Sequence, residues 1–255
     1  MAEISLAQAA IALGLLAVCL GLLRWQGVQL EWLTLLAFGR ALLQLIILGY
    51  VLEFAFSLAQ PLATFSLLGL LWLVSSVGVR NRINPKSLVL LFWVAFALLI
   101  GVGAVVLYIN LGVVQPYPWY SPTFWIPLAG LALGSCLHVL ATFGERLLTL
   151  IKQYRLEIET RLSLGATPTQ TLKLYRTQAM RAALLPQTRL LAIAGLGSLP
   201  VFLAGALSSG VPPLIATVQQ LLLLIVLLSS NVVSLAILGL GLNQICFDQD
   251  GRLRP

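Results

Sequence analysis

The chain has 255 residues, 60% of them hydrophobic and 9% charged, with a formal net charge of +7. Soluble domains carry about 25% charged residues, so a water-soluble fold could not cover its surface and the class is integral membrane. The apolar runs are about 20 residues long, which selects helices and excludes a barrel of short alternating strands.

In chain order, about seven spans are expected: Ile4–Leu23, Leu33–Phe56, Leu62–Val79, Ser87–Ile109, Thr123–Phe143, Leu184–Leu207 and Leu214–Leu240. Each is long enough to cross about 30 Å of hydrocarbon at 1.5 Å per residue. Pro61, Pro85, Pro122 and Pro213 stand at or just before span starts, where a missing N–H is tolerated. The first span reads as a retained helix and not a cleavable signal, because its first basic residue, Arg24, follows it.

The basic residues then set the orientation. Arg24, the group Arg80, Arg82 and Lys86, the block from Arg146 to Arg181, and Arg252 with Arg254 all fall on one side of these spans. Arg40 and Arg189 sit at span ends on that same side. The intervening loops around Glu53, from Asn110 to Ser121, and at Gly210–Pro212 hold no Lys or Arg. Basic loops stay in the cytoplasm, so the expected topology is N-out/C-in. The positive charge therefore points to a membrane orientation and not to nucleic acid. The expectation is one all-α membrane domain over residues 1–255, multi-pass in the cell (inner) membrane, with a cytoplasmic segment at 144–183 between the fifth and sixth spans.

Several chemistries are missing. No G-x-x-x-x-G-K-[ST], H-E-x-x-H or G-x-S-x-G motif occurs. Cys19, Cys136 and Cys246 have no paired spacing, which argues against a disulfide framework or a zinc site. The expectation is a non-enzyme with no cofactor of its own, driven by a partner.

The segment 144–183 is polar and rich in helix formers. Leu147, Leu148, Ile151, Tyr154, Ile158 and Leu162 recur near i, i+3, i+4 spacing, an amphipathic helix extending the fifth span. Gly165 ends it, and Thr167 can cap a second helix that starts at Pro168. On these residues alone, the segment is a solvated hairpin or a helix lying on anionic headgroups.

The stretch "ETRLSLGATP" resembles the E-A-A-x-x-x-G loop of bacterial ATP-binding-cassette permeases. Glu159 matches the acidic position and Gly165 the glycine, whereas Thr160 and Arg161 replace the two alanines. "RALLQLIILGYVL", "EIETRLSLGATPTQTLKLYRTQAMRAALLP" and "GLGSLP" are similar to the family that holds bacterial iron-export permeases and plant aluminium-tolerance permeases of the STAR type. The resemblance implies an exporter of iron or another metal ion, built as a permease homodimer in membrane lipid. ATP and Mg would reside on a separate ATPase subunit, docked through Glu159, Arg161, Gly165, Ala166, Thr167 and Pro168. A small polar solute such as a nucleotide sugar is the alternative cargo. An ATP-independent channel or scaffold is the competing class.

The chain departs from its relatives where cargo would pass. "VFLAG" and Ala206 follow "SLP" in place of G-M-M-T-G-Q, and Ser135, Cys136, Leu137 and His138 follow Gly134 in place of N-S-M-N. With so few soft ligands, a metal would cross as a complex or through a hydrated path. The candidate pathway residues are Arg40, Gln44, Ser135, His138, Pro200 and Gln220. Arg40 and Gln44 share a helix face, as an interfacial anchor or as a pathway pair. Ser135 and His138 begin a thin polar stripe, read as helix packing or as a ligand surface. Gly195, Gly197, Gly205 and Pro200 would make the sixth span a kinked hinge or a close dimer contact.

Overall fold

Inside hydrocarbon a backbone group must find its partner within its own segment, so long apolar runs become helices. In a computed structural model the described residues, 6–58 and 60–246, form helices and no named strand. They fall into two compact units, Met1–Leu58 and Ala59–Pro255.

The first unit is a helical hairpin of α1 (Leu6–Trp25) and α2 (Glu31–Leu58). It reverses at Gly27, whose φ of +68° suits glycine. The Gly27 N–H donates to the Arg24 carbonyl at 3.1 Å and the Val28 N–H to the Leu23 carbonyl at 3.2 Å, closing the helix end.

The second unit holds α3 (Pro61–Ile83), α4 (Leu88–Val114), α5 (Pro122–Gln153), α6 (Arg155–Ser163), α7 (Pro168–Ile193), α8 (Val201–Ser208) and α9 (Pro213–Cys246). Proline opens α3, α5, α7 and α9, where its missing N–H is one of the orphan donors anyway. Ser87 caps α4 by accepting the Leu90 N–H at 3.1 Å. Two π-helical stretches, Leu99–Gly103 and Ile109–Val114, interrupt α4.

The core is built around α5, which packs against α3, α4, α7 and α9. Cys136, Leu140, Phe143 and Leu147 on α5 are fully buried, as are Val94, Leu98 and Leu238 facing them. Glycines set two of the close approaches. A Cβ on Gly101 would come within 2.7 Å of the Ser234 backbone nitrogen, and one on Gly144 would run into Ile83.

Among the described residues, five helices have the length and apolarity to cross a membrane: Glu31–Leu58, Pro61–Ile83, Leu88–Val114, Pro122–Gln153 and Pro213–Leu242. The expected sixth span, Leu184–Leu207, is corrected from a kinked helix to two pieces. α7 ends at Ile193, and α8 resumes only at Val201. Gly195 at φ +91° turns the chain. The Gly197 and Ser198 amides both fold back onto the Ile193 carbonyl, at 2.9 and 3.1 Å. Pro200 then supplies no N–H and disfavours the α region at Leu199. Two glycines and a proline within six residues make a break where one proline alone makes a bend.

Candidate functional site

The polar segment forms a sharp, fixed corner. α5 continues past the apolar span to Gln153, and Tyr154 leaves helical geometry at φ −107°, ψ 26°. The nine-residue α6 follows, too short to persist alone in water. It is held by packing: Ile158 is fully buried, as are Leu172 and Thr171 of α7, and the Tyr154 and Tyr175 rings stack at 5.4 Å. The ion pairs Arg155–Glu159 and Glu157–Arg161, each 2.7 Å, lie along the exposed face. Such i,i+4 pairs contribute only about 0.3–0.5 kcal/mol, so they orient side chains more than they stabilise the corner.

The turn is fixed at both ends. Gly165 sits at φ +89°. Its N–H donates to the Leu162 carbonyl at 3.0 Å and the Ala166 N–H to the Arg161 carbonyl at 3.1 Å, the two bonds of a glycine-terminated helix. Two residues later the Thr167 Oγ1 accepts the Gln170 N–H at 3.3 Å, and the Thr167 N–H donates to Gln170 Oε1 at 3.1 Å. This reciprocal cap starts α7 at Pro168. The expected glycine stop, threonine cap and proline start are present, but the amphipathic helix expected to run on from the fifth span to Gly165 is corrected to two pieces, α5 and α6, because Tyr154 leaves helical geometry between them. Leu156 and Leu164 are 80% and 82% exposed, apolar tips left uncovered among the described residues of this unit.

Tyr175 closes the inner side of the corner. It is 2% exposed, and among the described residues its hydroxyl has no hydrogen-bond partner. Burial, and after it the nearby Glu157 carboxylate, pushes its phenol above the ordinary value.

Within the second unit, Ser135, His138, Pro200 and Gln220 do not form one constellation. Ser135 Oγ on α5 accepts from Gln187 Nε2 at 2.7 Å and from Asn231 Nδ2 at 2.8 Å. Asn231 Nδ2 also donates to Gln187 Oε1 at 2.7 Å, so the triangle ties α5, α7 and α9 together. Asn231 is fully buried, and its Oδ1 has no partner. His138 lies exposed outside this network. Gln220 of α9 is 6% exposed, and its Oε1 accepts the Leu203 N–H at 3.2 Å. It thus caps the first turn of α8, for which Pro200 is the N-cap residue. Arg40 and Gln44 lie exposed on α2, in the first unit.

A cavity of about 360 Å³ opens at the helix break, lined by Gln187, Ser198, Pro200 and Gln220 among leucines. A second, about 340 Å³, is lined by Asn110, Thr123 and Gln219 with Phe202 and Leu223. Asn110 is fully buried with its Oδ1 unpartnered. Both sites offer neutral amides and hydroxyls in apolar walls. No three His, Cys, Asp or Glu side chains converge among the described residues.

Gln187 and Tyr175 were not singled out from the sequence. Gln187 is an amide in a run that is turning apolar, which is a signal in itself, but its partners lie 52 and 44 residues away. Tyr175 shares a helix face with Thr171, Leu172 and Ala179, all buried, so its periodicity marks it as inward-facing.

A model of an uncharacterised protein family, UPF0014, matches residues 6–247. UPF0014 membrane protein slr1647 of Synechocystis is 41% identical over 87% of this chain and 86% of its own length. Escherichia coli "Probable iron export permease protein FetB" is 30% identical over 87% of this chain and 84% of its own. UPF0014 membrane protein STAR2 of Oryza sativa is 30% identical, covering 88% and 77%. No solved structure matches.

Proposed function

The chain belongs to the UPF0014 family of membrane proteins, and from that premise we propose that it is the membrane-spanning subunit of an ATP-binding-cassette transporter. Two copies form the pathway in the cell (inner) membrane, each with about seven spans, the N-terminus outside and the C-terminus in the cytoplasm. ATP and Mg bind on separate ATPase subunits that dock on the α6–α7 corner, and this chain hydrolyses nothing itself. The cargo is iron or another metal ion moved outward, a reading supported by the iron-export name of the Escherichia coli relative. It crosses hydrated or as a complex, since the candidate pathway offers amides and hydroxyls instead of carboxylates.

One observation carries the ATPase reading. α6 presents Leu156 and Leu164, 80% and 82% exposed, from a helix whose exit is fixed by Gly165 and whose successor is fixed by Thr167. A rigid corner transmits a push that a floppy loop would absorb. Exposed apolar tips on such a corner fit a cleft in another protein.

The test is co-expression with a candidate ATPase and purification in detergent. Wild type is expected to retain the ATPase, and the double variant Leu156→Glu, Leu164→Glu to lose it. Equal retention by both, or none by wild type, overturns the reading. ATPase stimulation across iron, other metals, metal chelates and nucleotide sugars then identifies the cargo. Silence towards iron would remove the iron assignment.

A further inference from the structure

The two cavities of the second unit share a wall. Leu131, Phe202 and Leu223 line both of them, so one side chain each from α5, α8 and α9 borders both spaces. Gln219 and Gln220 are neighbours on α9, and each lines a different cavity. Volumes of about 340 and 360 Å³ each fall within the about 300–1,000 Å³ that small-molecule sites occupy.

The polar groups of the two cavities differ in kind. In the smaller one, acceptors lead. Asn110 Nδ2 donates to the Val106 carbonyl at 3.1 Å, which fixes the amide and leaves Oδ1, unpartnered among the described residues, as its spare acceptor. Pro127 lines the same cavity and has no N–H, so the Thr123 carbonyl four residues before it lacks its α-helical donor. In the larger cavity, donors lead. Gln220 Oε1 is taken by the Leu203 N–H, which leaves the two protons on Nε2. Gln187 Oε1 accepts from Asn231, and its Nε2 donates to Ser135, which leaves one Nε2 proton. Among the described residues no charged side chain lines either cavity, and an ion placed there would shed water without gaining a counter-charge.

We propose that the two cavities are one bipartite binding site for an uncharged solute with hydroxyl groups on its surface, and that Phe202 stands between its halves. A hydroxyl both donates and accepts, so it suits either half. Its proton goes to the acceptors around Asn110, and its oxygen takes protons from Gln220 and Gln187. No three His, Cys, Asp or Glu side chains converge among the described residues, so the walls do not cancel a metal's charge. A metal ion fits them when its charge is cancelled inside a chelate. The proposal rests on the transporter reading for its metal cargo and adds what that cargo presents to the walls.

The test measures retention of radioactive iron by full-length protein purified in detergent. Tris(kojate)iron(III) is a neutral chelate that carries hydroxymethyl groups, and tris(maltolate)iron(III) is a neutral chelate on a similar ring that carries methyl groups. The kojate complex is expected to bind saturably, the maltolate complex about fivefold less tightly, as the loss of one hydrogen bond requires, and iron(II) sulfate not at all. Gln219→Leu should weaken kojate binding by about the same factor, and Phe202→Trp, which fills the shared wall, by more. Gln219 and Phe202 are both exposed, so neither variant opens the core, and melting temperatures check that each stays folded. Ser66→Ala on α3 should change nothing. Equal binding of the two chelates, tighter binding of iron(II), or binding indifferent to both Gln219→Leu and Phe202→Trp overturns the proposal. Displacement of the kojate chelate by sorbitol supports the site and gives it to a metal-free cargo. ATPase retention is measured on the same preparation. Retention without chelate binding refutes this site and spares the transporter reading, and chelate binding without retention does the reverse.

Discussion

Replacing Gly165 by alanine isolates what the corner owes to one backbone angle. A Cβ at Gly165 would meet nothing within 4 Å, so no steric clash with neighbours enters. What remains is the φ of +89°, a left-handed conformation that costs an L-residue roughly 1–2 kcal/mol. That is a factor of about 5–30 between ordered and unwound corner. The Thr167–Gln170 cap should hold α7 in place, confining the change to α6 and its exit. Hydrogen exchange of the peptide spanning residues 155–170, in detergent at one pH, reads this directly. Gly165→Ala should speed exchange there by about that factor, Gly165→Val by more, and Gly165→Asn by less, since asparagine tolerates the left-handed region. Exchange in α9 should not move. Equal protection in wild type and Gly165→Ala would refute the conformational argument, as would asparagine proving worse than alanine.

Three further outcomes follow from the same geometry. Gln220→Leu removes the acceptor of the Leu203 N–H and should destabilise α8 by about 1–3 kcal/mol, seen as protease or exchange sensitivity confined to residues 201–208. Gly144→Val drives a side chain into Ile83, and overpacking of this kind costs about 1–3 kcal/mol, read as a lower melting temperature in detergent. Tyr175→Phe should be neutral near pH 7, because the buried hydroxyl has no hydrogen-bond partner. Its effect appears in alkali. The folded phenol pKa is raised, so the folded state keeps its proton while unfolded chain ionises near the usual value of about 10. Stability is therefore full below that pH and falls as pH rises through it. Melting temperatures from pH 8 to 11 should fall less for Tyr175→Phe than for wild type, and parallel curves would remove Tyr175 from the account.

The corner was legible in the sequence because its signals are local. A glycine after an amphipathic run, then Thr-Pro with glutamine three residues on, specify a helix stop and a helix start within a few bonds. The helix starts at Pro61, Pro122 and Pro213 were legible for the same reason. The break at Ala194–Pro200 was only half legible: glycines and Pro200 indicated bending, but the distance to the next regular turn depends on the bond from Gln220. The triangle of Ser135, Gln187 and Asn231 was not legible. Each residue showed as a polar position in an apolar run, and which helix faces which is a tertiary fact that no local spacing encodes. The bond from Gln220 to the first turn of α8 was not legible for the same reason.

That cap has a mechanical consequence. α8 has eight residues, too few to hold its own helix. It borrows a hydrogen bond from α9 and rejoins α9 through the turn at Gly210. α7, by contrast, is continuous from its Thr167 cap to Ile193, with Pro186 inside it. The stretch from Pro168 to Ser208 therefore has two owners. α7 is a rod rooted in the corner at Thr167, and α8 is a passenger of the last helix. A displacement applied at Thr167 travels along about 39 Å of helix and meets the glycine joint at Gly195. α7 can therefore swing at that joint while α8 stays seated against α9.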